Sequence, residues 1–350
     1  MQIELEYEHG NFIDLELQNI NYFVGPNHTK KWKLYRGIKR FSTGKNLSEL
    51  EEHVYGDDGI VIFCDGEKVK SKDLPIYYLD CRESFLHHYY ENKGSLMAKE
   101  IQAMGEIFEL GRGIERINNE FLTFENQLSE LFIEKYKHVQ PTLRSINFSD
   151  ISKYFLQLSF FEDEVTYPVE MMDIEKLIDD YCCLLMNEIE RTQKMTWLWI
   201  NNPNAFMSKK IFCSFVGKLS ICAEESGLLN VFILSEDYLE LNYNEVDLES
   251  TVLLYEKHQQ IPSFNVLKKS IERHYPDELN QTDRELISRL FRVFPYIGKF
   301  KNDRDNIYLR DKDIVLLKVV DELLGYEYEL NLQKDYSDLT ILESKYLIDQ

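Results

Sequence analysis

The sequence predicts a mixed α/β domain interrupted by an all-helical excursion and followed by a mostly helical extension. Three observations carry this. Short apolar runs of strand length stand on both sides of a long charged tract, at 19–24 and 59–80 before it and at 196–237 after it. The tract itself, 94–194, has helical periodicity and few turn signals. After Pro262 the pattern is helical again. The implied domains are an α/β head of 1–93 plus 195–260, a helical leg of 94–194, and an extension of 261–350.

Each element has its own signal. IELEYE (3–8) and FIDLEL (12–17) alternate apolar and acidic residues around His9-Gly10-Asn11, which predicts a β-hairpin with one wet face. NINYFV (19–24) is a further strand. KKWKLYRGIKRF (30–41) has helical period, with Leu34, Ile38 and Phe41 on one face and Lys33, Arg36, Lys39 and Arg40 on the other. GIVIFCD (59–65) and LPIYYLD (74–80) read as buried strands of an α/β sheet that end in Asp. The run from Gly94 to Lys137 is long-helical and stops before Pro141. Helices are expected at about 149–160 and 171–194, then a strand at 196–202, a helix at 208–227 and a strand at 229–237. In the extension, helices are expected at 263–274, 282–294 and 311–324.

Composition narrows the function. The chain has 350 residues, a formal charge of −21 and 44% hydrophobic residues, enough for a substantial core. Its six cysteines include no CxxC, as expected for reduced thiols in a cytoplasmic protein. No stretch is apolar enough for a membrane span, and Met1–Gly10 does not read as a signal peptide. Net acidity ordinarily opposes nucleic-acid binding, but the distribution of charge matters more than its sum. From Leu17 to Ser48 there is no Asp or Glu, while Lys30, Lys31, Lys33, Arg36, Lys39, Arg40 and Lys45 all fall there. A second acid-free window, Leu286–Asn302, holds Arg289, Arg292, Lys299 and Lys301.

The stretch YFVGPNHTKKWK (22–33) has the outline of a phosphate-binding loop: strand, glycine, four residues, lysines. A working loop reads GxxxxGK[ST], in which the second Gly lets the backbone curl and the hydroxyl ligates Mg²⁺. Here Lys30 stands for the second Gly, Lys31 for the Lys and Trp32 for the hydroxyl residue, and Pro26 removes an N–H. ATP hydrolysis is therefore not expected, although an ATP-binding switch built on Lys31 is one alternative. A metal-dependent nuclease using Asp65, Glu67 and Lys68 of CDGEKVK (64–70) is another, with a charged hairpin turn as its plain structural reading. The histidines show no metal-ligand spacing, and His87–His88 reads as a helix end. The acidic runs EDE (162–164) and IEKLIDD (174–180) read as solvated helix faces.

Three of these features occur together: the acidic hairpin followed by the degenerate loop VGPNHTKKW, the long helices at 94–194, and the return segment MTWLWINNPNAFMSKKIFCSFVGKLSICAEESGLLNVFILSED (195–237). In them the chain resembles, over roughly residues 1–240, the long form of the ring-forming, DNA-end-binding adaptation protein of type II-A CRISPR systems. The resemblance implies a RecA/P-loop-like head with a helical leg, assembled as a homotetrameric ring. It implies a non-enzymatic function in spacer acquisition, with a lysine-rich opening that threads double-stranded DNA ends without sequence preference. The CRISPR integrase complex and the RNA-guided nuclease are the implied protein partners. Calcium is an implied cofactor, and no ATP is. The expected DNA-binding residues are Lys30, Lys31, Lys33, Arg36 and Arg40. The sequence departs from the family at 137–150, where an acid-rich stretch is replaced by KHVQPTLRSINFSD with Asp150 its one acid.

Overall fold

The computed structural model describes residues 1–44, 48–56, 59–90, 94–298, 309–326 and 338–348. The chain divides into two compact units, Met1–Cys81 with Gln193–Gln350, and Arg82–Thr192.

The first unit begins with strands β1 (Gln2–Glu8) and β2 (Asn11–Glu16), antiparallel with Ile3 opposite Leu15 and Leu5 opposite Ile13. One face of this hairpin is apolar and buried, which is what its two-residue periodicity dictates. β3 (Ile20–Val24) leads through Gly25-Pro26-Asn27 into α1 (His28–Thr43), and α2 (Glu49–Tyr55) follows. β4 (Ile62–Cys64) and β5 (Glu67–Lys68) come next, then β6 (Ile76–Leu79). The run 59–65 was expected in the parallel sheet. Instead β4 pairs antiparallel with β1, giving a small sheet of order β2-β1-β4-β5. The cause is local: Asp65 and Gly66 both take positive φ (48° and 82°), the tight turn that closes a hairpin. The Asp65 carboxylate also accepts the Gln2 N–H at 2.7 Å, fixing the new strand to the first.

The second unit starts with α3 (Arg82–His87), α4 (Leu96–Met104) and α5 (Phe108–Ile133). The tract read as one long helical run from Gly94 is thus broken near Gly105, where a Cβ would stand 2.7 Å from the Phe148 ring. α6 (Phe148–Tyr154) is shorter than expected and is followed by a hairpin, β7 (Ser159–Glu162) and β8 (Val165–Pro168). The acidic run EDE therefore sits at a β-turn and not on a helix face, with Asp163 and Glu164 both at positive φ. α7 (Ile174–Thr192) completes the unit. It packs Tyr181 against Phe85 and His88, and its Glu188 takes an ion pair from Lys99 at 2.7 Å. His88 is buried there, unlike the exposed His87. Burial, with His87 and Lys99 adding to it, pushes its imidazole down to about 4.

The chain returns to the first unit with β9 (Thr196–Asn201), α8 (Lys209–Ser226) and β10 (Leu229–Leu234). α9 (Glu245–Glu249), β11 (Thr251–Leu254) and β12 (His258–Gln260) follow, none of which the sequence analysis anticipated. α10 (Phe264–His274), α11 (Asp283–Val293), α12 (Asp311–Leu323) and α13 (Ile341–Ile348) end the described chain. The main sheet has order β12-β11-β3-β10-β9-β6, five parallel strands with β12 antiparallel at one edge. The protein is thus a mixed α/β chain with a parallel sheet. One core joins the small sheet (Ile3, Leu5), α1 (Leu34, Ile38) and one face of the main sheet (Trp197, Trp199). Gly37 lets α1 lie this close, since a Cβ there would be 3.1 Å from the Tyr7 carbonyl oxygen. Among the described residues no helix is long and apolar enough to cross a membrane.

Candidate nucleic-acid interface

β3 lies where the strand order reverses, between β10 and β11. In open parallel sheets the crevice at the carboxyl ends of such strands is the usual ligand site. The loop Gly25–Asn27 stands there and is fixed by the ends of its neighbours. Gly25 has φ 114°, and a Cβ would come 2.4 Å from the Leu254 carbonyl oxygen, so only glycine fits. Asn27 donates its backbone N–H to Leu254 and its side-chain amide to the Tyr255 carbonyl, at 3.1 and 2.9 Å. Its side-chain oxygen accepts the Lys30 N–H at 2.8 Å, capping α1.

The two lysines of the degenerate motif close the crevice. Lys30 donates its ammonium to the carbonyls of Glu256 (2.9 Å) and Lys257 (2.8 Å), and burial holds its pKa below the ordinary lysine value. Lys31 is only 4% exposed and donates to the Ser235 carbonyl at the end of β10. Both charges are thus spent on backbone oxygens of the same chain. In this arrangement Lys31 is a strut between α1 and the end of β10.

The remaining expected residues lie along α1. Lys33 pairs with Glu8 at 2.8 Å, and Arg40 with Glu51 at 3.0 Å. Lys39 pairs with Asp80 at 2.8 Å and stands over the Tyr35 ring. The same Asp80 accepts the Tyr35 hydroxyl at 2.9 Å; burial first, then Asp80, raises the Tyr35 pKa. Arg36 differs. Among the described residues no carboxylate pairs with it, and its guanidinium stands against two rings, 4.4 Å from the Trp32 centroid and 5.4 Å from that of Tyr55. Arg36, Lys39 and Arg40 line one side of a cleft of about 420 Å³, with α2 residues Leu50, Glu51, Val54 and Tyr55 opposite. Lys45 lies outside the described residues.

The structure brings Lys30, Lys31, Lys33, Arg36 and Arg40 onto one helix, with Lys30 and Lys31 turned to backbone carbonyls, Lys33 and Arg36 half-buried, and the Arg40 side chain largely buried beside Glu51. In the second acid-free window the described cations are engaged within the fold. Arg289 and Arg292 both pair with the buried Asp313, at 2.7 and 3.2 Å, and Lys299 and Lys301 lie outside the described residues. Sequence reasoning missed Trp32 as anything but a lost hydroxyl, although an exposed Trp amid cations was a readable signal. The carbonyl partners of Lys30 and Lys31 had no readable signal, because a backbone oxygen carries no sequence identity.

Other chemistry is sparse. Among the described residues no group of three His, Cys, Asp or Glu side chains could hold a metal ion. Asp150, the acid closest to where the resemblance implies calcium ligands, instead caps α6 with Asn147 and pairs with Arg144 at 2.8 Å. The backbone of Asn147 first, then Arg144, holds its carboxyl below the usual carboxylate range. Asp150 is thus committed within its own capping box and to Arg144. Asp65 of the CDGEKVK cluster is held by the Gln2 backbone, and Glu67 and Lys68 are exposed in β5.

The sequence matches no protein-family profile and no curated protein. Among solved structures, the chain is similar to Stu0660 of Streptococcus thermophilus, with a TM-score of 0.84 at 15% identity, over 96% of this chain and 97% of that one. The two share a fold. A more distant match is the SmcHead bound to the C-winged helix domain of ScpA, with a TM-score of 0.39 at 10% identity, over 76% of this chain and 98% of that one.

Proposed function

We propose that this protein is a non-enzymatic DNA-binding ring of the type II-A CRISPR adaptation class, a homotetramer that takes double-stranded DNA ends without sequence preference during spacer acquisition. The observation that carries the reading is the outer face of α1: Lys33, Arg36, Lys39 and Arg40 along one helix, from an acid-free window in a chain of charge −21. The carboxylates opposite three of these cations do not prevent it. The surface pairs of Lys33 and Lys39 contribute at most about 1 kcal/mol each, and releasing condensed counterions from DNA compensates for opening them. Phosphate contacts of this kind carry no base readout.

A ring accounts for the acidity: repeated copies concentrate cations in a bore while the acidic exterior repels DNA. Self-association draws support from α5, a helix of 26 residues with none buried, on which Phe108, Leu122, Phe124, Leu131 and Ile133 are more than half exposed. The proposal has no ATP step, because Lys31 is engaged inside the fold. A RecA-like head with an inserted leg, calcium-supported assembly in the cytoplasm, and contacts with the integrase complex and RNA-guided nuclease belong to the same reading.

The test is a gel-shift with linear and closed-circular duplex over a salt series. Linear DNA should bind preferentially and with a steep salt slope. Neutralising Lys33, Arg36 and Arg40 to Gln together should weaken binding at least tenfold and reduce the slope by about three. Equal affinity for both DNA forms, or an unchanged affinity in the triple variant whose melting profile is intact, overturns the reading.

A further inference from the structure

Trp32 occupies the position where a phosphate loop has its hydroxyl residue, and the proposed phosphate contacts leave it without a role. It is 57% exposed, whereas the chain's other tryptophans, Trp197 and Trp199, are 0% exposed. The ring is held and not loose. Arg36, one helical turn on, lays its guanidinium 4.4 Å from the indole centroid, and Tyr55, itself buried, backs the guanidinium at 5.4 Å. Arg36 thus links the buried Tyr55 to the exposed Trp32 indole. Lys33 flanks it on the same helix.

A rigid aromatic plane among cations is the composition of a single-strand nucleic-acid site, in which the cations hold the backbone and the ring stacks a base. Within a duplex the base faces cover one another and offer such a ring nothing. At an end, the terminal pair is fixed across the duplex axis, while an unpaired base beyond it is free to turn onto a ring set on a helix wall. We propose that Trp32, stiffened by Arg36, is a stacking platform for an unpaired base at a DNA end, so that the protein prefers ends with single-stranded overhangs to blunt ends. This rests on the DNA-binding reading above and adds a structural preference to it.

Because the other two tryptophans are buried, acrylamide quenching reports Trp32. The probes are a blunt duplex and the same duplex with a short thymidine overhang. The overhang should bind about tenfold more tightly, in keeping with the strength of base–aromatic stacking. It should also quench Trp32 emission and protect it from acrylamide. In Trp32→Ala the ratio of the two affinities should fall to about one, and Trp32→Phe should restore most of it. Equal affinity of the wild-type protein for both ends overturns the platform, as does a Trp32 still open to acrylamide with the overhang bound. Shielding of Trp32 without DNA, together with a changed particle mass in Trp32→Ala, would make it a subunit contact and also overturn it. Binding of neither DNA would instead sink the underlying DNA reading, an outcome distinct from these.

Discussion

The first turn of α1 and the rest of its outer face carry the same kind of residue and use it in opposite ways. Lys30 and Lys31 are turned into the crevice at the strand ends and bound to carbonyls of Glu256, Lys257 and Ser235. Lys33 and Lys39 reach the carboxylates of Glu8 and Asp80 near the surface, Arg40 pairs with Glu51 while largely buried, and Arg36 stands against the rings of Trp32 and Tyr55. The difference teaches what becomes of a phosphate loop when its second glycine is lost. The lysines that once would have met a ligand at the sheet's switch point can be recruited by the backbone around it, leaving the cations one and two turns further on to side-chain partners. Lys31, bound to a buried carbonyl, is a structural part, because removing it strands an acceptor that water does not reach. A lysine paired at the surface is exchangeable, because water and salt replace its partner.

The sharpest way to break this contrast is at Gly25. Gly25→Ala puts a Cβ 2.4 Å from the Leu254 carbonyl oxygen at a φ of 114°. A loss of about 3–5 kcal/mol is expected in urea unfolding followed by the emission of Trp197 and Trp199, which lie in the same unit. A change below about 1 kcal/mol would mean that the loop is not clamped by β11. Next is Lys31→Ala, which leaves the Ser235 carbonyl without its ammonium and removes a buried aliphatic stem. It should cost about 2–3 kcal/mol in the same titration. Stability equal to that of Lys33→Ala would erase the distinction between the two halves of the helix.

The smallest effect is electrostatic and tests where Lys30 points. His258 of β12 has an imidazole pKa held below the ordinary value, first by burial and then by the charge of Lys30, while Asp14 pulls it up. A depressed folded-state pKa means that the unfolded chain takes up its proton first as pH falls. The stability this group contributes is therefore present above the ordinary histidine pKa and lost as pH drops through it toward the folded value. Lys30→Gln should raise the His258 pKa in an NMR titration and make that acid loss shallower, with a stability change at neutral pH below about 1 kcal/mol. An unmoved His258 resonance would place the Lys30 ammonium away from the 256–257 turn.

Much of the α/β pattern was legible before the structure. The hairpin at 3–17, the strand at 19–24 and the helices at 208–227, 263–274, 282–294 and 311–324 follow from periods of two and of 3.6 residues, and from capping residues such as Ser208 and Thr282. What failed was partnership. Nothing in GIVIFCD distinguishes a parallel strand from the antiparallel β4, since both are short apolar runs. The hairpin at 159–168 was hidden by its acidic turn, and β11 and β12 by their shortness.

At the site the division is the same. The sequence by itself determined that α1 follows a strand and a glycine, that its apolar stripe is Leu34, Ile38 and Phe41, and that its polar side is cationic without an acid for thirty-two residues. These are local properties of spacing and composition. Only the tertiary structure decided which cations are held by backbone carbonyls and which by side chains. It also decided that Arg36 stands against both Trp32 and Tyr55. The partners that settle those fates lie far along the chain: Ser235, Glu256 and Lys257 more than two hundred residues from the lysines they hold, and Tyr55 on another helix. All three interactions at the crevice end on backbone carbonyls that every sequence possesses, so their presence there depends on how the strands are ordered and not on which residues they contain.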